Sequence, residues 1–334
     1  MRMEEIARRI KILLKNKRPF LITGSPGLGK TDAVVQACAD AGIRLIVSHP
    51  VVSDPTDYKG MPAVVNDNGK QTARFLPFGD LEQLITAQEP TCFFVDDLGQ
   101  SNPSVQAAQM QLQLIRKING HPISEHVTFA AATNRRADKA GVGTFIAPLL
   151  DRFDQVFHLE FNVDDWVAWA LRNGQPESLV SFARWRPNLI SDFVPPKGDL
   201  AKSPTPRSVA KLGVLINEGL DDYDTYQAAC GEGFATEYHA FNKTRKDMPD
   251  IPAILRNPDA APMPTRPDVL YATVGALSYR ATASNFANVL RYSDRMPPEF
   301  QILLVRDAYA KTKALQHTPA LMAWCLKNQD VLLN

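Results

Sequence analysis

Apolar and polar positions along this chain follow two periods. Short β-rich apolar runs occur at Pro19–Thr23, Arg44–Ser48, Thr91–Asp96, Val127–Thr133 and Gln155–Phe161, each of strand length. Helical patterns lie between several of them. One covers 31–41 and closes on Gly42. Another covers 103–118, with Asn102 as N-cap and Pro103 in the first turn. On that second helix Val105, Ala108, Leu112, Ile115 and Ile118 share a face. Gln106, Gln109 and Gln113 fall mostly opposite, as a solvated or subunit-facing surface. Such alternation predicts an α/β fold, a parallel five-stranded sheet with helices on both faces. Between the second and third runs, Asn68-Gly69 with β-prone flanks predicts a hairpin insert near 63–75. From about residue 163 the strand pattern stops. Trp166, Trp169 and Leu171 begin an amphipathic helix, Pro195-Pro196-Lys197-Gly198-Asp199 marks a loop, and Thr205-Pro206 restarts a helix. A proline-rich stretch from Pro249 to Pro267 leads to the last helices. The expected organisation is an α/β domain over 1–162 and an all-helical domain over 163–334.

Bulk properties narrow this only a little. The 334 residues, 45% of them hydrophobic, suffice for two domains with cores. A net charge of +1 supplies no global field toward nucleic acid or anionic membrane. The four cysteines, Cys38, Cys92, Cys230 and Cys325, are far apart in sequence and read as small hydrophobes of a reducing compartment. His121 and His126 lack companions for a metal site. With no apolar run of membrane-spanning length, a soluble, cytoplasmic protein is expected.

The chemistry is concentrated in Gly24-Ser25-Pro26-Gly27-Leu28-Gly29-Lys30-Thr31, a complete phosphate-binding P-loop between an apolar run and a helical pattern. The glycines let successive N–H groups point at phosphate oxygens, and the helix N-terminus adds its positive end. Lys30 is expected on the β/γ-phosphates and the Thr31 hydroxyl on Mg²⁺. The third run ends in two carboxylates, the Walker B arrangement: Asp96 supports the Mg²⁺ shell and Asp97 polarises the attacking water. The fourth run delivers Asn134 to the sheet edge that faces ligands, where an amide can orient that water. Arg152, in Pro148–Asp154 before the fifth run, can reach a neighbouring subunit's γ-phosphate as an arginine finger. Arg207, at a helix start in the second domain, can contact the phosphates of its own subunit.

This ordered set resembles the AAA+ ATPases, and within them the MoxR-like group of short bacterial and phage ATP-binding proteins. It is carried by Gly24–Thr31, Asp54-Pro55-Thr56-Asp57-Tyr58-Lys59-Gly60-Met61-Pro62, Asp96-Asp97, Thr133-Asn134-Arg135-Arg136-Ala137-Asp138, Pro148–Phe153 and Thr205–Arg207. It spans residues 1 to about 250. The resemblance implies an ATP- and Mg²⁺-dependent ring, often hexameric, in the cytoplasm of a bacterial or phage-infected cell. Asn134 would be sensor 1, Arg152 the finger and Arg207 sensor 2, with the helical domain as a lid. The hairpin would be the insert that faces the ring's pore; Arg135 and Arg136 could also reach a subunit interface, their assignment being open. The family usually carries glutamate where this chain has Asp97, so slower hydrolysis is expected. The first expectation for the output is remodelling of a protein partner, such as one with a von Willebrand A domain. A DNA-associated motor or loader, using Lys70, Arg74, Arg116 and Lys117 as a basic pore lining, is the alternative. A nucleotide-gated scaffold with slow hydrolysis is the third.

Overall fold

The structure, a computed structural model, describes residues 1–138, 140–143, 147–195 and 202–328. The chain forms two compact units, Met1–Phe161 and Asn162–Asn334.

The first unit runs α1 (Met3–Lys15), β1 (Phe20–Gly24), α2 (Lys30–Ala41), β2 (Arg44–Ser48), α3 (Pro55–Lys59), β3 (Met61–Asp67), β4 (Lys70–Leu76), α4 (Gly79–Thr86) and β5 (Thr91–Val95). It continues with α5 (Pro103–Ile115), β6 (Lys117–Ile118), β7 (His121–Pro122), β8 (Val127–Thr133), α6 (Ala147–Leu150) and β9 (Gln155–Leu159). Five strands form one parallel sheet in the order β2-β5-β8-β1-β9. Successive side chains on a strand point to opposite faces, and the core divides accordingly. Leu21, Phe93, Val95, Phe129 and Ala131 pack on one face with Tyr58 of α3, Leu81 and Leu84 of α4, and Val105, Ala108 and Leu112 of α5. Phe20, Ile22, Cys92, Phe94, Ala130 and Ala132 pack on the other with Ile6 and Ile10 of α1 and Val34 and Ala37 of α2. Both faces being covered, β5 and β8 are buried throughout, which is why they read as unbroken apolar runs.

Strands β3 and β4 form an antiparallel hairpin of their own, paired from Met61↔Leu76 to Asp67↔Lys70. Asn68 and Gly69 both take positive φ, 51° and 86°, as a two-residue primed turn requires. The Asp54–Pro62 segment builds its root. Asp54 and Asp57 close a capping box on α3, and the Tyr58 hydroxyl lies 2.8 Å from Ser48 Oγ. Gly60, at φ 93°, approaches β4 so closely that a Cβ there would lie 2.7 Å from the Leu76 carbonyl oxygen.

Three expectations are corrected here. The helix predicted to reach 118 stops at Ile115. Arg116 turns left-handed, and Asn119-Gly120 (φ 48° and 93°) forces a second primed turn joining β6 to β7. Gln106, Gln109 and Gln113 are buried, not solvated, and the Gln109 and Gln113 amides lack hydrogen-bond partners. Arg116 does not line a pore. It donates to the Ser124 and Val127 carbonyls at 2.7 and 3.0 Å and lies over the Phe129 ring.

The second unit contains α7 (Val163–Arg172), α8 (Glu177–Trp185), α9 (Pro206–Asn217), α10 (Tyr223–Cys230), α11 (Glu232–Thr244), α12 (Ile251–Arg256), α13 (Pro267–Arg280), α14 (Phe286–Ser293), α15 (Pro298–Lys311) and α16 (Pro319–Lys327). The Asn162 side chain caps α7, and Thr205 with Ser208 forms a capping box on α9. Of the loop expected at 195–199, residues 196–199 lie outside the described residues. One core gathers Phe182, Phe234, Tyr238 and Phe241 in tilted and edge-on contacts. A second joins α12 to α16 around Leu277, Phe286 and Tyr292.

Free thiols occupy the four cysteine positions. Among the described residues no cluster of three or more His, Cys, Asp or Glu exists to hold a metal ion, and no helix is long and apolar enough to cross a membrane.

Arg184 of α8 fixes three helices of the second unit electrostatically. Its guanidinium is bidentate to Asp307 of α15 and also bonds Asp164 of α7, with Arg184 and Asp307 only 6% and 4% exposed. Removing one member of a buried pair strands the other charge. Asp307→Ala is therefore expected to lower stability by about 3 kcal/mol in urea unfolding of the full chain. Asp259→Ala, which breaks an exposed pair with Arg291, is expected to change it by less than about 1 kcal/mol.

Candidate nucleotide site

The sheet order places the ends of β1, β8 and β5 side by side, since β8 pairs with both others. In a parallel sheet that carboxyl edge is where ligands bind. Lys30, Thr31, Asn134, Asp96 and Asp97 converge on it, whereas Arg152 precedes β9, whose first residue pairs with the opposite end of β1.

After β1 the chain turns through Gly27 (φ 75°) and Gly29 (φ 84°) into α2, which begins at Lys30. A Cβ at Gly24 would sit 2.9 Å from the Leu159 carbonyl oxygen, so the close packing of β1 against β9 requires glycine at the loop's first position. The first N–H groups of α2 have no helical acceptors, and the helix dipole makes them receptive to an anion.

Lys30 is buried, and its ammonium donates to the Gly24 and Ser25 carbonyls at 3.0 and 3.1 Å and to Asn134 Oδ1 at 2.7 Å. The P-loop lysine and the amide at the end of β8 thus touch, although 104 positions separate them. Thr31 Oγ1 donates to Asp96 Oδ2 at 2.7 Å. The Asp96 backbone is itself tied to β2 through the Ser48 carbonyl. A hydroxyl beside one carboxylate is an all-oxygen donor set suited to Mg²⁺, a cation commonly held by one or two carboxylates together with substrate phosphates.

Asp97 adopts left-handed backbone (φ 57°), and the Leu98–Gln100 turn follows it. Its Oδ1 accepts from Gln100 Nε2 at 2.9 Å, and the Gln100 Oε1 is buried without a partner. Gln100 is absent from the sequence-level candidates. Its spacing of three from Asp97 across a helical turn is the available signal. Arg135 extends the site further, donating to Ser25 Oγ and pairing with Asp138. Arg152 follows α6, its Nε buried and without a hydrogen-bond partner. Arg207 is exposed in the first turn of α9, on the second unit.

A family model described as "ATPase family associated with various cellular activities (AAA)" matches residues 20–161. Those residues are an AAA ATPase domain. The AAA domain starts with β1 and ends with the first unit, and ATP hydrolysis is its enzymatic activity. Binding of ATP with Mg²⁺ belongs to that domain type. Among curated proteins no relative matches the chain. Solved structures with a similar trace include the RuvB Holliday junction branch migration motor of Thermotoga maritima. It is 16% identical, with 76% of this chain and 74% of that one covered and a TM-score of 0.41. A mutant of the same RuvB matches at 15% identity over 90% and 87%, with a TM-score of 0.43. A structure from Cytophaga hutchinsonii matches at 17% identity over 92% and 79%, with a TM-score of 0.34.

Gly99 links the Asp97 turn to β8. A Cβ there would fall 2.3 Å from Thr133 Oγ1, immediately before Asn134. Gly99→Ala is expected to cost about 1–3 kcal/mol of stability by overpacking and to lower the rate of ATP hydrolysis, as read by thermal melting and phosphate release. Gly233→Ala in α11, where a Cβ meets open space and no positive φ is required, is expected to leave the hydrolysis rate unchanged.

Proposed function

We propose that this chain is a Mg²⁺–ATP-driven AAA+ motor whose subunits form a ring and share nucleotide sites. The carrying observation is the convergence of Lys30, Asn134, Thr31 and Asp96 at one sheet edge. In this reading the loop Gly24, Ser25, Pro26, Gly27, Leu28 and Gly29 wraps the phosphates with its N–H groups. Lys30 exchanges the Asn134 oxygen for phosphate oxygens, which frees the amide to orient water. Thr31 and Asp96 hold Mg²⁺, which supplies charge neutralisation on the phosphates. Asp97 polarises the attacking water, and Gln100 orients its carboxylate. Arg207 reports the γ-phosphate to the helical unit.

Arg152 is the finger offered to the neighbouring subunit. Its place in Pro148–Phe153, just before the last strand of the sheet, supports this role. Placement in the MoxR-like group rests on the motif residues of 54–62 and 133–138. A von Willebrand A partner rests on that resemblance alone.

For the ligand, a nucleic-acid strand takes precedence over the protein partner first expected. Hairpin β3–β4 carries exposed Lys70 and Arg74 on one face and an exposed Phe75 on the other, and basic side chains that track the backbone with aromatics that stack bases are the usual means of holding single strands. With Arg116 committed to the core, the basic set reduces to Lys70, Arg74 and Lys117. Exposed Met61 and Val64 on the same hairpin favour the second reading, an unfolded polypeptide.

Arg152→Ala is expected to lower turnover by about 10³-fold or more while nucleotide affinity stays within about twofold. Wild-type turnover in a defined oligomer of this variant would remove the finger assignment. Stimulation of the ATPase by single-stranded DNA, falling steeply as salt rises, is the expected response. Stimulation by an unfolded polypeptide and not by DNA would instead establish the second reading.

A further inference from the structure

We propose that Arg135 is a second arginine of the site, a γ-phosphate ligand supplied by the same chain as the P-loop. Arg135 follows Asn134 directly at the end of β8. Both residues reach the same place: Asn134 accepts from Lys30, and Arg135 donates to the Ser25 hydroxyl. Ser25 is therefore held by two cations, with Lys30 on its carbonyl and Arg135 on its Oγ.

The partners of Arg135 explain why an anion would displace this arrangement. Its Nε and Nη2 lie 3.2 Å from the two Asp138 oxygens, and Nη2 also reaches Ser25. Asp138 thus aims the guanidinium at the loop. The acceptor it finds there is a neutral hydroxyl, although a guanidinium is best matched by a carboxylate or phosphate. Ser25 Oγ stands in for an anionic oxygen. Lys30 reaches the β- and γ-phosphates in loops of this kind, and Arg135 shares Ser25 with it. The terminal phosphate is accordingly the group that Arg135 meets, and ADP lacks it. Asp138 sets the strength of the response, because it competes with that phosphate for the same guanidinium. Arginines acting within their own chain have precedent in other phosphoryl-transfer enzymes. The assignment rests on the ATP reading of the P-loop.

Arg135 and Arg152 then divide the work. The first lets a single chain distinguish ATP from ADP, and the second couples hydrolysis to a neighbour.

The test is equilibrium titration of the full chain with Mg²⁺ and either fluorescent ADP or a fluorescent non-hydrolysable ATP analogue. Arg135→Ala is expected to lose about tenfold in preference for the ATP analogue, with ADP affinity changed by less than about twofold. Arg135→Lys should restore part of the preference. Asp138→Asn should increase it, a change of opposite sign that loss of folding cannot produce. An unchanged ratio in Arg135→Ala, or equal loss of both nucleotides, would overturn the proposal. Lys30→Ala serves as the reference without binding. Failure of the wild-type chain to bind either nucleotide would strike the ATP reading itself, not the role of Arg135.

Discussion

A buried ammonium must be surrounded by oxygens or it will not stay charged. Lys30 meets that requirement with carbonyls of the P-loop and the side chain of Asn134. The contact is available only because β1 and β8 are adjacent and parallel, in a register that pairs Thr23 with Thr133. Adjacency of β8 to β5 then brings Asp96 and Asp97 to the same edge. The remaining features protect this arrangement. Gly24 permits β9 to close on β1, Gly99 permits the Asp97 turn to touch β8, and the two apolar layers cover the sheet. Oxygens that satisfy Lys30 in the protein resemble in kind those that a phosphate would present.

Much of the first unit was legible because its strands are buried on both faces and therefore spell continuous apolar runs. The five runs end within two residues of the observed strands. Helix α1 carries the same kind of signal, since Ile6, Ile10, Leu13 and Leu14 repeat at helical spacing, although it is not among the expected elements. The turn at Asn119-Gly120 carries the same signal as Asn68-Gly69. The apolar Ile115 and Ile118, continuing the helical spacing of α5, masked it. The buried glutamines contradict their polarity because helix packing, not side-chain character, decides which face is covered.

Side-chain pairing in the site was less legible. The P-loop, both carboxylates and Asn134 follow from motif and strand position. The Gln100–Asp97 and Arg135–Ser25 bonds depend on how two turns approach the loop, which no periodicity encodes. In the second unit the amphipathic start at Trp166, Trp169 and Leu171 and the Thr205-Pro206 cap announce two of the helices in advance. Arg184, Asp164 and Asp307, which tie three helices together, are separated by up to 143 positions and look like ordinary surface charges when read in sequence.

In the proposed function, catalysis is a property of neighbouring subunits and nucleotide recognition a property of one chain. The most direct test measures ATP turnover per chain across protein concentration, with oligomeric state followed by sedimentation in the same samples. Turnover per chain should rise from near zero and level off as the oligomer fills, with nucleotide still bound by the dilute monomer. Constant turnover per chain down to the monomer would contradict it.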